Sequence, residues 1–151
     1  MTARSVPLRR KPPLLIFGLI PCLAGAAAPG RVDLSVEGLR SDKGLVRICL
    51  TKNPAHFPDC NADPKAISRT LPVSQAKRLS LPDLAPGTYA LSLFHDENRN
   101  AKLDTFAAIP REGFGFSRNP KIRFGPPKFT QVAFPIAAAP VQVTVRMQYF
   151  L

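Results

Sequence analysis

The chain has 151 residues, 45% of them hydrophobic, which is enough for one domain with a true core and too little for two. It carries 21 lysines and arginines against ten acids, a formal net charge of +11. The basic residues are scattered and do not alternate with stacking aromatics, which excludes a dedicated single-strand nucleic-acid binder.

The first 28 residues order charge, apolar run and small residues as a secretory signal peptide does. Arg4, Arg9, Arg10 and Lys11 precede Leu14-Leu15-Ile16-Phe17-Gly18-Leu19-Ile20, and Ala24-Gly25-Ala26-Ala27-Ala28 follows, with cleavage expected near Ala26. Gly18 and Pro21 interrupt the run, which falls short of the roughly 20 residues a membrane span needs, so no transmembrane segment is expected after cleavage. Cys22 follows Pro21, and not the small residue of a lipidation signal. The expectation is an exported protein, periplasmic or extracellular, with one domain over residues 29–151. Four basic residues and no acid leave with the leader, so the remainder stays basic at +7.

Residues 32–36 alternate Val32, Leu34 and Val36 with Asp33 and Ser35, and Val46, Ile48 and Leu50 repeat the pattern, which predicts two half-buried strands. Cys49 falls on the outer face of the second. It is expected to pair with Cys60, an even cysteine count in an oxidising compartment, closing the proline-rich loop 51–68 and contributing about 2–3 kcal/mol.

Weaker strands are predicted at 70–73 and 78–81. Leu81-Pro82-Asp83-Leu84-Ala85-Pro86-Gly87 then turns into the strongest strand, residues 88–95, where Tyr89, Leu91, Leu93 and His95 share a face. A long loop, residues 96–128, follows, and strands at 129–136 and 141–149 close the chain. About seven short strands and 17 prolines predict an all-β fold, an antiparallel β-sandwich of immunoglobulin-like or transthyretin-like topology. Only the last strand approaches the length a transmembrane barrel requires, which argues against a barrel.

Four segments stand in fixed order: Gly87-Thr88-Tyr89; His95-Asp96-Glu97-Asn98-Arg99-Asn100-Ala101-Lys102-Leu103-Asp104; Ile109-Pro110-Arg111-Glu112-Gly113-Phe114-Gly115-Phe116-Ser117; and Pro126-Pro127-Lys128-Phe129. In these the chain resembles the exported bacterial family known as domain of unknown function 2141, over roughly residues 32–149. The resemblance implies an exported β-sandwich and no particular reaction.

Asp96, Asn98, Asn100 and Asp104 occupy positions 1, 3, 5 and 9 of a calcium-binding loop, with the Lys102 carbonyl at position 7. Ala101 stands where the sharp turn favours glycine, and Ala107 where the bidentate carboxylate belongs. Glu112 or Glu97 could supply the missing carboxylate, Glu112 only if the Ile109-Pro110 turn folds back. Calcium is the one cofactor these residues suggest; the alternative is that Asp and Asn cap their own backbone in Asx-turns.

His95 and Tyr89 are read as structural, since no nucleophile or second ligand accompanies the histidine. Phe114, Phe116, Phe124 and Phe129 are expected for the most part to cap the core. The leading functional expectation is a non-catalytic envelope or secreted module that binds a protein partner or an anionic envelope component. Two alternatives stand beside it: a hydrolase acting at the Asp96 to Glu112 loop, and a basic adhesion module for anionic glycans or lipids.

Overall fold

A computed structural model describes residues 28–151; all of the expected leader but Ala28 lies outside the described residues. The strands are β1 (Gly30–Glu37), β2 (Leu45–Thr51), β3 (Ile67–Pro72), β4 (Arg78–Leu84), β5 (Gly87–Asp96), β6 (Thr105–Phe106), β7 (Ile109–Pro110), β8 (Gly113–Phe116), β9 (Phe134–Ile136) and β10 (Val141–Arg146). Two single helical turns, α1 (Val73–Ala76) and α2 (Phe129–Val132), complete the fold.

Eight of the strands form two packed sheets, and β6 and β7 pair only with each other. One has the order β10-β1-β4; the other runs β3-β2-β5-β8, with β9 on the same edge of β5 as β8. The inward sets are those alternation selects: Val32, Leu34 and Val36 face Val46, Ile48, Leu50, Leu91 and Leu93, joined by Leu81, Val143 and Val145. Leu34, Leu50 and Leu91 are fully buried, each contributing roughly 1.5–3 kcal/mol. The turn α1 carries the chain from the second sheet to the first and closes that side of the core with Val73 and Ala76.

The fold is the all-β sandwich expected, its pairs antiparallel apart from the parallel β1–β10 pair; alternation fixes which side chains face inward and leaves pairing direction open. Three expectations of detail need correction. The expected strand over 129–136 is a helical turn followed by the three-residue β9, because Gln131 Oε1 accepts the Lys128 N–H and closes the turn. The strand expected at 70–73 begins earlier and ends at Pro72. The long loop also contains β6, β7 and β8.

A second apolar cluster forms on the outer face of the β2–β5 sheet. Ala90, Phe114, Phe116 and Val132 are buried there, with Phe57, Phe94, Ile122 and Phe129 packed against them. Phe114, Phe116 and Phe129 therefore cover a sheet face, whereas Phe124 is 97% exposed and caps nothing.

Candidate functional site

The end of β5 sends neighbouring side chains to opposite faces. His95 turns inward and Asp96 outward, beneath residues 97–104. Across the sheet Arg47 lies opposite Phe94, and its Nε–H donates to Asp96 Oδ2 at 2.6 Å while Nη1 reaches Thr70 Oγ1. Asp96 is fully buried, and it accepts two backbone bonds as well, from Asn100 N–H at Oδ1 and Ala101 N–H at Oδ2, both 3.0 Å. Burial alone would raise its pKa; the Arg47 bond and the two amide donors outweigh it and hold the carboxyl below its ordinary value.

The same segment winds tightly. Arg99 and Ala101 adopt φ of 64° and 65°, so alanine sits in the left-handed region at a cost of about 1–2 kcal/mol. Asn98 Nδ2 and Asn100 Nδ2 donate to the two oxygens of Asp104, while Asn98 Oδ1 and Asn100 Oδ1 accept the Asn100 and Lys102 N–H groups in Asx-turns. The β6–β7 ribbon turns through Ala107 and Ala108 and returns the chain, closed at its base by Arg111 N–H to Asp104 O. Glu112 is thereby buried against the loop, where Oε1 accepts Glu97 N–H and Oε2 accepts Asp104 N–H.

The structure thus brings Asp96, Asn98, Asn100, Asp104 and Glu112 together, while Lys102 is exposed. As placed, this donor set suits N–H donors and does not fit a hard cation. Both oxygens of Asp96 and of Glu112 accept N–H groups, two amide nitrogens face Asp104, and Arg47 supplies the positive charge. Among the described residues no three His, Cys, Asp or Glu side chains are grouped to hold a metal. Glu97 is engaged elsewhere by the Arg40 guanidinium, whose hydrogen bond lowers the Glu97 pKa.

His95 is fully buried and bridges two segments. Its Nε2 donates to the Lys43 carbonyl at 2.7 Å, leaving Nδ1 to accept from Tyr149 Oη at 2.8 Å. Arg40 lies over the Tyr149 ring, 4.6 Å from its centroid, and donates its backbone N–H to the same hydroxyl. Burial raises the Tyr149 pKa. Gly113 makes room for this ring, since a Cβ there would lie 2.3 Å from Tyr149 Cε1. Tyr89 is buried as well, its hydroxyl donating to Ala85 O at 2.8 Å. Arg47, Arg40 and Tyr149 escape sequence reasoning; outward alternation in β2 is the one signal that marks Arg47.

Beside the loop a groove of about 470 Å³ opens on the outer face of the β2–β5 sheet. Phe94, Phe114 and Phe116 form its apolar floor, Ser68 and Thr70 of β3 one side, and Arg47 and Lys102 its cations. The Cys49–Cys60 disulfide holds Pro58 to Asn61 as the facing wall. The wall is also tied by Ser92 Oγ–H to Pro58 O at 2.6 Å. Asp59 is the one carboxylate lining the groove.

A family model described as "Uncharacterized protein conserved in bacteria (DUF2141)" matches residues 34–144, which reach from β1 into β10. No curated protein and no solved structure matches the chain.

Proposed function

The chain belongs to this DUF2141 family of bacteria, and on that footing we propose that it is an exported, non-catalytic binding module, periplasmic or extracellular. Its ligand is a small, largely apolar molecule bearing an acidic group, held in the groove between the disulfide wall and the Asn-rich loop. The reading rests on one observation: the groove presents an aromatic floor with Arg47 and Lys102 at its side, while Asp96 and Glu112 are buried and bonded to amides. An apolar body packs on the phenylalanines and a carboxylate meets the cations, the arrangement usual in small-molecule sites.

The hydrolase alternative is less well supported, because an acid–base pair must reach the substrate and these two carboxylates do not. The loop closes in this reading through Arg47 and backbone donors, without calcium.

The test is a set of aryl and acyl carboxylates and their methyl esters, followed by backbone amide chemical shifts. Carboxylates should move Ser68, Thr70, Ser92 and Lys102, esters should do so weakly, and Ser68→Trp, which fills the groove from an exposed strand position, should abolish the shifts. Release of acid from the esters would instead support the hydrolase, and shifts confined to other surfaces would displace the groove.

A further inference from the structure

Segment 96–112 contains four acids, Asp96, Glu97, Asp104 and Glu112, and three bases, Arg99, Lys102 and Arg111, so by count it is slightly acidic. The fold sorts these charges. Asp96 and Glu112 are buried, and Glu97 and Asp104 are half-buried, each taken by a partner within the protein: Arg47, Arg40, two asparagine amides and backbone N–H groups. The three bases are exposed and, among the described residues, make no ion pair.

In the chain the same bases lie to either side of an exposed apolar ribbon. Phe106 and Ile109 are cross-strand partners of the β6–β7 ribbon, directly opposite one another and hence on one face. They are 67% and 42% exposed, and Leu103, beside Lys102, is 37% exposed. Ala107 and Ala108, both with positive φ, make the two-residue turn between them. The ribbon is held at its base by Arg111 N–H to Asp104 O and by Glu112 to Asp104 N–H, so it is preordered, and Thr105 to Ile109 are all exposed. Docking it therefore orders little further chain.

From this we propose that the β6–β7 ribbon is a membrane-surface anchor that inserts Phe106 and Ile109 into the interface of an anionic phospholipid bilayer, with Arg99, Lys102 and Arg111 on the headgroups. An exposed apolar pair with unpaired, exposed cations close by in the chain matches a deformable, negatively charged surface, in which aromatic and aliphatic groups sink and long basic side chains reach the phosphates. A folded protein partner would instead have to present a concave acidic pocket to this ribbon. Lys102 and Leu103 also line the groove, whereas Phe106, Ile109, Arg99 and Arg111 do not, so a response at residue 106 reports on the ribbon and not on the groove.

The chain has no tryptophan, so Phe106→Trp creates a single local reporter. Its emission should shift to the blue and be quenched by brominated lipid on vesicles of phosphatidylethanolamine and phosphatidylglycerol. It should stay unshifted on phosphatidylcholine, and molar salt should reverse the effect. Adding Lys102→Glu and Arg111→Glu should weaken the partitioning about tenfold or more. Unshifted Phe106→Trp emission on the anionic vesicles would overturn the proposal. So would an equal shift on phosphatidylcholine, a shift reported by Phe124→Trp alone, or retention on heparin without any lipid response at residue 106.

Discussion

Arg47 of β2 and Asp96 at the end of β5 meet across the outer face of the sheet, Nε to Oδ2 at 2.6 Å, with the carboxylate fully buried and the arginine side chain 26% exposed. This pair fastens the Asn-rich loop to the sandwich, because the other bonds of Asp96 go to the amides of Asn100 and Ala101.

Removing one partner leaves a buried charge short of its counterion. Arg47→Met should cost about 2–3 kcal/mol, below the full buried-pair penalty because the arginine is partly solvated. In urea unfolding, Arg47→Met/Asp96→Asn should be less destabilised than the two single changes added together, with a coupling above about 1 kcal/mol. Strict additivity would mean that the contact does not hold the loop.

The pH dependence follows from the direction of the shifts. Asp96 and Glu97 both titrate below their ordinary values in the folded protein, so each contributes stability that is fully present above the unfolded pKa. That stability is lost as pH falls through the carboxylate range, below about 4. The melting temperature of the wild type should therefore drop steeply with acidification, and Asp96→Asn should flatten the drop.

Ala101 adopts a backbone conformation that glycine enters freely. Ala101→Gly should stabilise the protein by about 0.5–1 kcal/mol, the relieved strain exceeding the extra unfolded-state entropy. A lower melting temperature in this variant would show that the loop does not hold that conformation in solution.

At the opposite side of the β5 end, Gly113→Ala should press on the Tyr149 ring and cost about 1–3 kcal/mol. Tyr149→Phe keeps the ring and loses the hydroxyl between His95 and Arg40, and should cost about 1 kcal/mol. Calorimetry of the two variants separates the steric from the hydrogen-bonding contribution.

The inward residues of β1, β2, β5 and β10 and the disulfide were legible in the sequence, since period-two alternation and an even cysteine pair are local signals. What lies between strands was less so. Gly113-Phe114-Gly115-Phe116 has a loop's composition, yet it pairs with β5, its glycines being required where Tyr149 and Val145 press on the backbone. Arg47 looks like any solvated charge on an outer face until the register places it diagonally from Asp96. The ligand-like spacing of Asp96, Asn98, Asn100 and Asp104 was visible, but which donors satisfy it depends on Arg47 and Glu112, which are remote in sequence or brought in by a turn.

In the Asn-rich loop the carboxylates are satisfied by Arg47, asparagine amides and backbone N–H groups of the protein itself. Differential scanning calorimetry in millimolar calcium and in excess EDTA checks this. Superimposable transitions are expected for the wild type; a calcium-dependent rise in melting temperature that Asp96→Ala abolishes would show that an ion closes the loop instead.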